Sequence, residues 1–246
     1  MAARADAECG PLQPFTAEHL EVVFYYGTHR YTVPDARVRK SHSLLDMGIA
    51  SSSPQIPNAR LGATLTRQAV IDAATQQYLA GQSLDMSALA TALGIGRSTL
   101  YRIVGNREDL LGTLLAQATE RTFRRATTCT TAEGGLEHVL EVLDRFMHAV
   151  IAARPLRMLS EREPLLFMRL VLLPGQVEQT AGRLIGDLLA TEVAAGRLEL
   201  PLPPAMCGDA IVRMCDPHLY AHVLGRGEPE IDAALDLIAA LLGRGH

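Results

Sequence analysis

From residue 64 onward, apolar side chains recur every three to four positions, the spacing of helices with one buried face. Thr64 or Thr66 can cap a first helix through Ala69, Val70, Ala73, Ala74, Gln77 and Tyr78, ending near Gly81. Short helices follow from about Asp85 to Leu93 and from about Arg97 to Val104. Asn106-Arg-Glu-Asp109 reads as a capping box with Asp in place of Glu or Gln, and opens a longer helix through Leu110, Leu111, Leu114, Leu115 and Ala118. Glu133 to Ala153 is a further amphipathic run, with Arg154-Pro155 expected to stop it. The apolar segment LLFMRLVLL (165–173) comes next, then a helix from about 175 to 195, the proline-rich loop LPLPP, and two last helices at roughly 205–224 and 229–242. Asp216-Pro217 falls inside the first of these. Proline lacks a backbone donor and disfavours helix at the residue before it, so a kink or break is expected at 214–217. With no strand-rich region and no internal repeat, the fold class is all-α.

Residues 1–60 have a different texture, with isolated prolines, the loop-like run SSSPQIPN and one apolar patch, VVFYY, at 22–26. They read as a disordered extension. A basic arm at RVRK (37–40) is the alternative reading of part of it. The expected organisation is therefore an extension over 1–60, a helix-turn-helix domain over 61–112 and a larger helical domain over 113–246.

Charge sharpens this division. Residues 60–125 carry 8 basic and 5 acidic side chains (+3), whereas residues 126–246 carry 10 and 16 (−6). A basic module beside an acidic one suits a chain of which one part faces nucleic acid. No apolar run is long enough to span a membrane, and no basic start with an apolar centre marks a secretory signal. Cys9, Cys129, Cys207 and Cys215 are scattered without a CxxC pair, which suits reduced thiols in the cytoplasm.

The stretch GIGRSTLYRIVGNREDLL (94–111) carries the chemistry. Ala90 is small where a second helix must cross the first, and Gly94 supplies a turn with positive φ. Ile95 plugs the corner, while Leu100 and Ile103 are expected to face Leu89 and Leu93. With that side buried, Arg97, Ser98, Tyr101 and Arg102 point outward, as a recognition helix requires in a major groove. Arg97 or Arg102 suits guanine or phosphate, and Ser98, Thr99 and Tyr101 suit phosphate oxygens. Arg107, in the first turn of the next helix, is expected to join them on an anion. The bland alternative is a helical hairpin with solvated arginines.

These residues resemble a TetR-type transcriptional regulator. The match runs over about 64–111: Arg67, Val70-Ile71, Ala73-Ala74, Leu89-Ala90, Leu93-Gly94-Ile95, Ser98 to Tyr101, and Arg107-Glu108-x-Leu110. It departs at Ile103-Val104-Gly105, where the family has His-Phe and a polar residue. LYRIVGNREDLL and the segment from Ala210 to Leu242 are similar to the QsdR-like branch. The resemblance implies a homodimer that binds a palindromic double-stranded DNA operator through a surface including Arg67, and releases it when a small effector enters the second domain. The branch implies a small amphiphile of acyl or lactone type. The last two helices would form a four-helix dimer interface.

Candidate effector-lining residues are Met147, Met158, Phe167, Met168, Met206, Met214 and Tyr220, with His148, Arg213 and His218 as polar anchors. Core packing is the competing reading of each. For Arg213 the competing readings are a pair with Asp209 or Asp216, or solvation.

Enzymatic signatures are missing from the sequence: no glycine-rich phosphate loop, HExxH, GxSxG or clustered carboxylate–His set. His218 and His222 have the spacing of a metal pair without an evident third ligand. No catalytic residue, metal or cofactor is expected. The competing class is a helical interaction module whose helix-turn-helix no longer binds DNA.

Overall fold

The computed structural model describes residues 66–243. The expected extension, with VVFYY, RVRK and SSSPQIPN, lies outside the described residues, as does the start of the second segment. Among the described residues all regular structure is helical, and none of the helices is long and apolar enough to cross a membrane.

Local capping chemistry sets three of the first four helices, α3 alone starting without a side-chain cap. α1 (Arg67–Leu79) starts at Thr66, whose Oγ1 accepts from the Ala69 amide at 3.2 Å. α2 (Met86–Ala92) starts at Asp85, which accepts from Ser87 and Ala88. α3 spans Arg97–Val104. α4 (Arg107–Thr128) opens on the expected capping box: Asn106 accepts from the Asp109 amide and Asp109 from the Asn106 amide, both at 2.9 Å. α4 runs ten residues past Ala118 and carries the chain from the helix-turn-helix into the larger bundle, so residue 112 falls within it.

The second part comprises α5 (Gly135–Ala152), α6 (Arg154–Arg162), α7 (Pro164–Phe167), a π-helical turn (Met168–Leu172), α8 (Gln176–Ala194), α9 (Pro204–Leu219) and α10 (Ile231–Leu242). Arg154-Pro155 ends α5 as expected but also starts α6, because proline in a first turn gives up a donor that has no partner there anyway. The expected break at 214–217 is not present. α9 continues through Pro217 to Leu219, short of the expected 224. The proline sits in the last turn, where it removes one donor, and the Tyr220 amide still reaches the Asp216 carbonyl at 3.0 Å.

The core of the first part is Val70, Leu89, Leu100 and Leu110, each fully buried. In the second it runs through Val139, Leu143, Leu189, Ile211 and Ile238. α8 and α9 form the most extensive helix pair. Glycine makes that possible: a Cβ at Gly208 would meet the Gly182 carbonyl and come within 2.7 Å of the Gly186 amide nitrogen. Glu192, buried at the end of α8, accepts from the Gly135 amide at 2.7 Å and from Arg197, tying α8 to the start of α5.

Candidate nucleic-acid interface and effector core

The turn between α2 and α3 is built from Gly94 at φ +65°. The Ile95 amide reaches back to the Ala90 carbonyl at 3.1 Å, the six-to-one closure of a Schellman motif. α3 then crosses with Leu100 and Val104 inward. Val104 takes the buried place expected of Ile103, which is half-buried, because positions four apart stack on one helix face.

The opposite face of α3 is open. Arg97, Ser98, Tyr101 and Arg102 are exposed, Thr99 is half-buried, and Tyr101 shows 46% of its surface. Arg67, at the first position of α1, is exposed as well. Among the described residues Arg67, Arg97 and Arg102 make no ion pair, so their guanidinium groups are free to meet an anion.

Arg107 is placed differently from the expectation. Its guanidinium forks onto Glu163, Nη1 to Oε2 at 2.8 Å and Nη2 to Oε1 at 2.6 Å. Nε donates to the Leu84 carbonyl at 2.8 Å, and Nη2 also reaches Ser83 at 3.3 Å. The bond to Glu163 raises the Arg107 pKa, and the same bond lowers that of Glu163. The structure therefore groups Arg97, Ser98, Tyr101 and Arg102 on one helix face and commits Arg107 elsewhere. Nothing local in the sequence marked Glu163 as this partner, because no helix was expected over 154–162.

The candidate effector residues are dispersed. Met147, Phe167 and Tyr220 are buried, and Phe167 meets Tyr220 edge to face with ring centres 5.2 Å apart. Met168 and Met214 are half-buried in the π-helical turn and α9. Met158 lies against Gly81 in a narrow cleft between the helix-turn-helix and α6. Met206 is 55% exposed. Each proposed polar anchor already has an acidic partner: His148 has Asp144 at 3.1 Å, Arg213 has Glu178 at 3.0 Å and His218 has Glu230 at 3.1 Å. Of the alternatives considered for Arg213, none named this acid.

Asp216 and Tyr78, neither of them expected beside Tyr220, belong with it. Asp216 is largely buried, and burial first, then the nearby Glu178 carboxylate, pushes its pKa up to about 7. The Tyr220 hydroxyl is held protonated by burial, with Asp216 and Tyr78 adding to the effect. Among the described residues no cluster of His, Cys, Asp and Glu is arranged to hold a metal ion.

Known proteins can be set beside this geometry. Residues 134–243 match the family described as tetracyclin repressor-like, C-terminal domain. The transcriptional repressor QsdR of R. erythropolis, from the TetR family, is 49% identical, with a TM-score of 0.70 over 73% of this chain and 96% of that one. The chain belongs to the TetR family of transcriptional regulators. AlkX of a Dietzia species, a TetR-family repressor implicated in n-alkane biodegradation, is 21% identical with a TM-score of 0.53, covering 72% of this chain and 93% of its own, and shares the fold. No curated protein matches the chain. The family's C-terminal domain, matched over 134–243, takes in α5 to α10.

Proposed function

We propose that this TetR-family protein is a cytoplasmic homodimeric repressor that binds a palindromic operator and releases it when a small amphiphile of acyl or lactone type enters the larger domain. The observation that carries the reading is the outer face of α3, where Arg97, Ser98, Tyr101 and Arg102 stand exposed with no competing acid among the described residues. The 49% identity to a transcriptional repressor supports the sign of regulation. Arg97 and Arg102 supply bidentate donors for guanine or phosphate, and Ser98, Thr99, Tyr101 and Arg67 anchor the backbone.

Pairing is supported by the face that α8 and α9 leave open, rather than by the α9–α10 pair that the resemblance implies. Arg183, Asp187, Ala190 and Ala194 on α8 are exposed, as are Met206, Asp209 and Arg213 on α9. Both signs of charge on a patch with small residues suit a twofold axis that sets Arg against Asp. Two α3 helices one turn of DNA apart, ~34–36 Å, would then read the two half-sites. The buried Phe167–Tyr220 pair, with the Tyr220 hydroxyl as a polar point and Met147 buried elsewhere in the bundle, supplies soft apolar surface that supports an amphiphilic ligand.

Selection of sites from random duplex DNA by the full chain, at two salt concentrations, tests the proposal. The expected result is an enriched palindrome whose binding Arg97→Ala weakens by about 1–3 kcal/mol per lost base contact. Weak, salt-sensitive binding without enrichment would favour a helix-turn-helix that serves as an interaction module instead.

A further inference from the structure

Two consecutive residues of the effector domain grip the helix-turn-helix. Arg162 ends α6, and its Nη1 donates to the Gly81 carbonyl at 2.6 Å. Glu163, between α6 and α7, holds the Arg107 fork, and Arg107 in turn donates from Nε to the Leu84 carbonyl. The turn from Gly81 to Leu84, which leads from α1 into α2, is therefore held at its Gly81 end by α6 directly and at its Leu84 end through Arg107 of α4, which Glu163 grips. Met158 adds a third contact, since a Cβ at Gly81 would lie 2.7 Å from its sulfur.

The chemistry favours a geometric role. A guanidinium–carboxylate fork fixes direction as well as distance. Its two side chains keep 30% and 32% of their exposure, so solvent screens the pair and limits its contribution to stability. Four of the five guanidinium N–H groups of Arg107 are occupied, which leaves little for a phosphate. α2 carries α3 through the Ala90–Gly94 corner, so whatever orients the 81–84 turn also orients Arg97 and Tyr101.

We propose that Arg162 and Glu163 are positioning residues for DNA recognition, clamping the α1–α2 turn so that α3 is presented to the operator in a fixed pose. Neither touches DNA. The proposal rests on α3 being the recognition helix.

The test uses the full chain, with affinities for the selected operator and for random-sequence duplex measured across several salt concentrations. Glu163→Gln and Arg162→Gln are each expected to weaken operator binding about tenfold, comparable to losing one base contact. Random duplex binding should stay within about twofold and the salt slope should not change, because no phosphate contact is lost. Arg107→Ala combined with Glu163→Gln should be no worse than Arg107→Ala alone, since both break the same joint.

Four results would overturn the idea. Tighter binding by Glu163→Gln with a salt slope steeper by about one would mean that Glu163 restrains Arg107 from a phosphate. Parallel losses on both duplexes that track the melting temperature would mean a purely structural clamp. Unchanged affinity throughout would mean that the joint does not set the pose. A wild-type protein with no operator preference would sink the DNA-binding reading itself, and this one with it.

Discussion

Glu141 and Asp216 are two carboxyls pushed in opposite directions by their surroundings. Burial works to raise the Glu141 pKa, but the amides of Ala132 and Thr131, the Arg145 guanidinium and the Thr131 hydroxyl outweigh it and bring it down to about 2. Its ionised form is favoured by folding, so its stabilisation is present above the ordinary carboxylate range and is lost as pH falls toward 2. Asp216 is the reverse case. Burial foremost, and then Glu178, lift it to about 7, so its contribution is present in acid and lost as pH rises through 7. Asp216→Asn should therefore stabilise the protein at pH 8 by about 1–2 kcal/mol, with little change at pH 4. Glu141→Gln should cost about 1–2 kcal/mol at pH 7 and nothing near pH 2. Urea unfolding of both variants at three pH values checks the signs, and an Asp216→Asn protein weakened at pH 8 would contradict the first. The sequence carried no hint of either shift: Asp216 read as a possible partner for Arg213, and only the packing of α8 against α9 brings Glu178 close to both.

At the scale of elements, legibility followed locality. Thr66, Asp85, Gly94 and the Asn106–Asp109 box signal their helix ends within four residues, and each does so in the structure. The outward face of α3 was legible for the same reason. Arg107 was not, because its acid lies 56 residues along the chain, on a junction that begins with an unrecognised helix. The π-helical turn also had no local signature. The close approach of α8 and α9 was silent too, since Gly182, Gly186 and Gly208 look like ordinary helix-weakening residues until the helices are set together. Two glycine substitutions separate the reasons glycine is needed. At Gly94 a Cβ meets nothing within 4 Å, so Gly94→Ala should cost only the left-handed backbone, about 1–2 kcal/mol. At Gly208 the Cβ meets backbone of α8, which cannot rotate away, so Gly208→Ala should cost about 3 kcal/mol or more. Thermal melts that rank the two in the opposite order would show that α8 and α9 can separate cheaply.

For the molecule as a whole, the decisive question is whether two copies meet on the α8–α9 face. Isologous pairing places every residue of that face at the interface twice, so one substitution is felt in duplicate. Ala190 is small, exposed and between Asp187 and Ala194, a position at which a carboxylate would face apolar or like-charged surface across the axis. Ala190→Glu is therefore expected to yield a folded monomer in sedimentation, with helicity unchanged because the position is exposed in the single chain. Operator binding should fall far more than binding to random duplex. Each α3 keeps its own contacts, but the two half-sites are no longer engaged by one particle, and the gain from linking them, of order 10²-fold or more, disappears. The same variant also discriminates between interfaces. A dimer that survives Ala190→Glu would move the axis away from α8, and α10, whose Leu237 is 45% exposed, would be the next face to substitute. A monomer that retained full operator affinity would show instead that one helix-turn-helix suffices, and the palindrome would then have no partner in the protein's symmetry.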